Sequence, residues 1–304
     1  MPIRPQDLPT GFLDNAAQAA GYEAALAVAR AHGRAEPGIL LSSRRKTMTM
    51  RFEGTGELAR VTFPAGAPSD TAAQLERAVA VAGHVADLGG PIGAPSSTVP
   101  PGPHVQGGFV VTFWRFYAGA RSYWGRPGAL GGSLRDLHQA ARTYAGALPH
   151  VLDEVDDAVE TVAADGRLRQ EDRRTMVESL RLLRPQLRRR VEDEHVVHGD
   201  AHAGNVLDAD GRLLWIDLEH VARGPVEWDL ACLLVETRTL RRTDELETEA
   251  LRAYGAVDRR LLESLLAYRV LEFAARTSLV EERDPTYWLE WLREHVQTES
   301  KLRA

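Results

Sequence analysis

The hydrophobic period of this chain changes near Gly119, and that change restricts the fold more than any other feature. Before it, apolar and polar residues alternate. Thr47 to Phe52 (TMTMRF), Leu58 to Phe63 (LARVTF) and Phe109 to Trp114 (FVVTFW) each read as strands. The turn EGTG at 53–56 joins the first two, and Ile39 to Leu41 precedes them, giving three antiparallel strands ahead of the 109–114 run. An Ala-rich helix is expected over 12–32, ended by Gly33. A second should run from a capping box of Thr71 and Gln74 to about Asp87. Residues 91–108, rich in Pro, Gly and Ser, read as a loop. After Gly119 the spacing becomes helical, with helices expected near 130–146, 150–164, 171–191, 227–240, 244–254, 258–281 and 286–297. Strands first and helices after make an α+β chain. The expected division is 1–118, a small antiparallel sheet with an N-terminal helix, and 119–304, a larger and mainly helical part.

Charge and composition narrow the function. A net charge of −6 argues against a general nucleic-acid binder, which carries a basic excess. The acidic surplus lies after residue 118 and would suit a cationic small molecule. The single cysteine, Cys232, sits in the apolar run 230–235, so no intrachain disulfide forms and a cytoplasmic protein is expected. No apolar run approaches the ~20 residues of a membrane span, and the first residues lack the apolar core of a secretion signal. Only two lysines occur, Lys46 and Lys301.

The densest chemistry lies in His198 to Leu233. HGDAHAGN (198–205) is followed by the turn pair Asp210-Gly211, the apolar run Leu213 to Ile216, then Asp217 and Glu219. Two short strands about that turn would present Asp200, Asn205 and Asp217 as oxygen-bearing side chains. Phosphoryl transfer needs such a set, because its loose transition state leaves the enzyme mainly to position groups and neutralise charge. Asp200 would orient the acceptor hydroxyl and take its proton. Asn205 and Asp217 would hold magnesium, a hard cation that prefers oxygen ligands. The spacing of five from Asp200 to Asn205 matches a kinase catalytic loop. A zinc hydrolase built from His195, His198, His202 and Asp200 is the competing metal reading, although no glutamate base accompanies it.

HGDxHxxN, then IDxE, then GPxxWDLA (224–231), resemble the aminoglycoside phosphotransferase / choline kinase family of protein-kinase-like small-molecule kinases. The resemblance implies a two-lobed kinase-like fold, ATP (GTP possible) and Mg²⁺ as cofactors, and a small hydroxylated acceptor. An aminoglycoside antibiotic is favoured; choline, an amino acid or a sugar is the alternative. It assigns His198 and His202 to holding the loop and Asp229 to tethering it. It places Arg60 where such kinases carry a strand lysine, with Glu76 as its expected partner. Arginine keeps the charge but changes the geometry, so a nucleotide-binding protein without kinase activity is a further alternative. Leu58 shares a face with Arg60 and would cover the base, while Phe113, Trp114 and Phe116 would flank it. Lys46 is a second candidate cation. Tyr268, Glu272, Glu281, Glu282, Tyr287, Trp288 and Trp291 are candidates for the acceptor side, where aromatics and carboxylates suit an amine. No nucleic-acid or membrane partner is expected, and the protein should be a monomer or homodimer.

Overall fold

The computed structural model describes residues 16–34, 38–43, 46–123, 125–164, 168–191, 194–239, 244–278 and 284–303. In chain order these form helix α1 (Ala16–Ala31), strands β1 (Gly38–Ser43), β2 (Thr47–Phe52) and β3 (Glu57–Thr62), and helix α2 (Pro68–Asp87). Strands β4 (His104–Gln106), β5 (Phe109–Arg115) and β6 (Arg121–Ser122) precede helices α3 (Pro127–Ala141), α4 (Val151–Ala164) and α5 (Gln170–Arg190). Next come β7 (His195–Val197), β8 (Val206–Ala209), β9 (Arg212–Trp215) and β10 (Ala222–Gly224). Helices α6 (Glu227–Thr239), α7 (Asp244–Tyr254), α8 (Arg259–Ser278) and α9 (Thr286–Arg303) close the chain. Two compact units result: Met1–Ser122 with Val206–His220, and Tyr123–Asn205 with Val221–Ala304.

In the first unit the sheet order is β1-β2-β3-β5-β4, antiparallel throughout. Period-two alternation divides its residues between two faces. Met48, Met50, Ala59, Val61, Val111 and Phe113 are buried against Tyr22, Ala25, Leu26 and Ala29 of α1. Each large side chain so buried contributes about 1.5–3 kcal/mol. Gly21 permits the close approach, since a Cβ there would lie 3.1 Å from the Phe63 ring. Thr49, Leu58, Arg60 and Trp114 fall on the opposite face. A bulge between Leu40 and Ser42 leaves Leu41 out of register: Leu40 packs on the core, and Leu41 joins the opposite face.

Two expectations are corrected here. The 91–108 loop contains β4, which pairs with β5 across Gly107-Gly108, both at positive φ; a Gly-Gly pair between strands is itself a hairpin signal. The capping box does not form. Helix α2 starts at Pro68 after Ala67, which makes no side-chain cap, so Thr71 lies inside the helix. Gln74 instead donates its amide to the Glu219 carbonyl at 2.8 Å. The β8–β9 hairpin joins this unit through Trp215, whose N–H donates to Pro91 O at 2.9 Å and whose carbonyl accepts from Gly93 N at 2.8 Å. Gly93 has no room for a side chain: a Cβ would sit 2.9 Å from Ile216 Cγ2.

In the second unit α8 is the central helix, packed on α4, α5, α6 and α9. It is buried almost all round from Leu261 to Ala275, as a helix apolar on every side must be. Arg269 and Glu272 lie within that buried length, and buried charge is tolerated only when paired. Helices α3 and α7 approach so closely that a Cβ on Gly131 would fall 2.0 Å from the Ala250 carbonyl oxygen. Strands β7 and β10 form an antiparallel ladder, Val197 opposite Ala222. It carries the His198 loop at one end and leads from the other into α6, whose first turn holds Trp228 and Asp229. No helix among the described residues is long and apolar enough to cross a membrane.

Candidate active site

The loop after β7 is held from below by α6. Asp229, fully buried, accepts the His198 N–H at 2.7 Å through Oδ2 and the Gly199 N–H at 2.9 Å through Oδ1. Its Oδ2 also meets His138 Nε2 at 2.8 Å, and His138 Nδ1 meets the Tyr254 hydroxyl at 2.8 Å. Trp228 Nε1 donates to the Gly199 carbonyl at 3.0 Å. These bonds satisfy the backbone of a turn whose Gly199 sits at φ 85°, and they fix where Asp200 begins. His198 Nδ1 accepts the Asp200 N–H at 3.3 Å, and His202 Nδ1 accepts the Gly204 N–H at 3.1 Å. Asn205 donates its amide N–H to the Asp200 carbonyl at 3.0 Å, which commits its nitrogen to the loop. Both histidines serve the loop, and among the described residues no group of three or more His, Cys, Asp or Glu is arranged to hold a metal.

Sequence reasoning missed Arg269. Its guanidinium, buried in α8, makes a close ion pair with Asp200 through Nη2 and with Glu272 through Nη1. Glu272 also accepts from Arg276 Nε at 2.7 Å. The guanidinium lies 4.5 Å from the Phe273 ring centroid and 5.7 Å from that of Trp228. Burial pushes its pKa down, but the acidic groups around it outweigh that and hold it above the ordinary arginine value. Arg269 is one of four arginines in α8, so the sequence held no local signal that set it apart.

The acceptor candidates from α8 and α9 are otherwise engaged. Tyr268 is fully buried and its hydroxyl donates to Asp156. Glu272 belongs to the Arg269 pair. Tyr287 donates to the Thr239 carbonyl, Trp288 stacks on Phe273 at 5.2 Å, and Trp291 stacks on His295 at 3.9 Å. Glu281 and Glu282 lie outside the described residues.

The first unit contains a cavity of about 310 Å³, within the range of small-molecule sites. Its apolar lining comes from Leu41 and Leu58 of the sheet, Leu75 and Ala78 of α2, and Leu207 and Ile216 of the β8–β9 hairpin. Trp114, Phe116 and Tyr117 line it at the end of β5; Arg60, Asp217 and Glu219 supply charge. Phe113 does not line it, because alternation along β5 turns that ring into the α1 core.

Arg60 Nη2 lies 2.9 Å from Asp217 and 2.6 Å from Glu219. Burial disfavours its charge, yet the two carboxylates hold its pKa above the usual value. Glu76 is not among these partners. It is exposed on α2, whose register turns Leu75 and Ala78 inward instead. Lys46 is exposed in the bend before β2. Asp217 adopts φ 70°, a left-handed conformation that costs a non-glycine residue about 1–2 kcal/mol. Such strain concentrates where a side chain must be aimed.

The sequence matches the profile of the phosphotransferase enzyme family over residues 49–268. The chain belongs to that family. No curated protein matches it in sequence. Among solved structures it is similar to a choline/ethanolamine kinase family protein from Mesorhizobium loti, at 18% identity and TM-score 0.63, covering 91% of this chain and 92% of that one. It is also similar to an amicoumacin kinase in complex with AMP-PNP, Ca²⁺ and Ami, at 13% identity and TM-score 0.63, covering 86% and 88%. A third is an aminoglycoside phosphotransferase from Streptomyces rimosus, at 20% identity and TM-score 0.56, covering 81% and 97%. The fold is that of the protein-kinase-like small-molecule kinases, with an antiparallel sheet in one lobe and mostly helix in the other. This family member is a phosphotransferase with an alcohol group as acceptor.

Proposed function

We propose that this phosphotransferase moves the γ-phosphate of ATP to a hydroxyl of a small molecule with magnesium as cofactor, and that an aminoglycoside-type antibiotic is its acceptor. The observation that carries the nucleotide part is the cavity of the first unit. It combines an apolar lining suited to a flat base with a cluster of Arg60, Asp217 and Glu219 suited to phosphates and a cation. Similar folds have been captured with AMP-PNP and Ca²⁺, with AMP and with GDP, so GTP is the alternative donor. The antibiotic acceptor is supported by the amicoumacin kinase and by the Streptomyces rimosus enzyme solved with ADP and streptomycin. The choline kinases among similar folds support the alternative of a small metabolite. Resistance to an antibiotic, a cytoplasmic location and a monomeric or homodimeric state belong to the same reading.

In this mechanism Asp200 accepts the proton of the acceptor hydroxyl as its oxygen bonds to the γ-phosphorus, the bond from that phosphorus to the β,γ-bridging oxygen breaks, and ADP leaves. Asp229 and Trp228 keep the loop in place so that the carboxylate need not be ordered during reaction, and such positioning is most of what the enzyme contributes. Asp217 and Asn205 are the residues that would hold the cation, through a carboxylate and an amide oxygen, the donor types a hard cation prefers. Bound there, magnesium would offset the charge of the phosphates. Arg60 would donate to phosphate oxygens.

A phosphotransfer screen over aminoglycosides, choline, amino acids and sugars, with ATP and GTP, tests the reading. Asp200→Asn should lower turnover by about 10²–10⁴-fold and still bind nucleotide. Turnover near that of the wild type in this variant would remove Asp200 from the base role.

A further inference from the structure

The Arg60 cluster carries more than a lysine replacement. One guanidinium faces two carboxylates, so the cluster retains one negative charge and is suited to a cation. Both contacts use the same nitrogen, Nη2. Among the described residues Nη1 makes no hydrogen bond, and Nε is buried without a partner. Nη1 is the donor left to phosphate oxygens, which guanidinium nitrogens bind well.

The carboxylate that takes Arg60 most closely is Glu219, and its position is fixed from α2. Gln74 donates to the Glu219 carbonyl, and the 218–220 turn packs along that helix. Glu76, the partner that the sequence suggests for Arg60, is exposed. We infer that Glu219 is the counter-ion that positions Arg60 for the nucleotide phosphates and, by sharing its guanidinium, keeps Asp217 available to a divalent cation. Helix α2 then acts through Gln74 and the backbone rather than through a carboxylate of its own. The inference rests on the nucleotide reading of the cavity.

Calorimetric titration of the intact protein with ADP, with and without magnesium, tests it. Glu219→Gln leaves Arg60 only Asp217, so the guanidinium competes with the cation. The variant should bind Mg·ADP at least tenfold more weakly and need several-fold more magnesium, with KM for ATP changed more than kcat. Glu76→Gln should stay within twofold of wild type. In an Arg60→Ala background, Glu219→Gln should add no further loss, because paired residues act as a unit. Glu219→Asp, which keeps the carboxylate, should recover part of the affinity. Should Glu219→Gln lose its fold, Gln74→Ala carries the test, with an expected loss of two- to fivefold. Unchanged affinity in Glu219→Gln, or an equal loss in Glu76→Gln, overturns the inference alone. A wild-type protein that binds no nucleotide overturns it together with the proposed function.

Discussion

Two arginines organise the two units in opposite ways. Arg269 of the second unit is sealed in α8, with side-chain exposure of 5%, and divides its nitrogens between Asp200 and Glu272. Phe273 and Trp228 flank its guanidinium. Arg60 of the first unit is less buried, lines a cavity, and spends one nitrogen on both its carboxylates. The first arrangement is a prop: charge is buried because it is matched inside the protein. The second is an open valence. Each arginine stands beside one aspartate and one glutamate, and exposure to a cavity is what separates the proposed ligand-binding one from the structural one.

The largest effect expected from this contrast is on stability at Arg269. Arg269→Met keeps most of the volume but leaves Asp200 and Glu272 without it, and breaking one side of a buried ion pair costs about 3–5 kcal/mol. The value should lie toward the lower end, because Arg276 still holds Glu272. Urea unfolding measures it, and a loss below about 1 kcal/mol would place Arg269 with surface ion pairs. The corresponding change in the first unit, Arg60→Met, should reverse the pattern. Its unfolding free energy should fall by less than that of Arg269→Met, while nucleotide affinity drops at least tenfold, about 1.4 kcal/mol. Equal stability losses in the two variants would erase the distinction between prop and open valence.

The smallest effect concerns a neutral polar tie of the second unit. His150 accepts the Leu152 N–H at 3.1 Å through Nδ1 at the start of α4. Burial lowers its pKa, and the charge of Arg188 adds to that. The folded state therefore disfavours the proton that the unfolded chain accepts near pH 6.5. The cap's contribution should be complete above that pH and fade as pH falls through the lower folded value. A loss of about 1 kcal/mol is expected, the usual worth of a helix cap. His150→Asn, which keeps an acceptor, should flatten this part of the stability–pH curve; an unchanged curve would show that the titration lies elsewhere.

Much of this was legible in the residues themselves. Alternation in TMTMRF, LARVTF and FVVTFW marked strands β2, β3 and β5, and the helical spacing after Gly119 marked α3 to α9 within a few residues. The HGDAHAGN and IDLEH strings pointed to the phosphotransferase family, which the profile match over residues 49–268 shows. The misses share a cause. Phe113 was read as a base-flanking ring, yet one step along a strand reverses the face. Glu76 was paired with Arg60, yet its position on α2 turns it outward. The pairing of Thr71 with Gln74 failed because Gln74 finds a carbonyl 145 residues away in sequence.

The sequence alone determined the family and the order of strands and helices, because motif spacing and local period are properties of neighbouring residues. Tertiary structure decided which charged groups meet. Arg60 goes to Glu219 rather than Glu76, and Asp200 goes to Arg269, a residue no local pattern singled out. Charges dehydrated on folding must find partners wherever packing brings them, and the distance between such partners along the chain is not written in either segment.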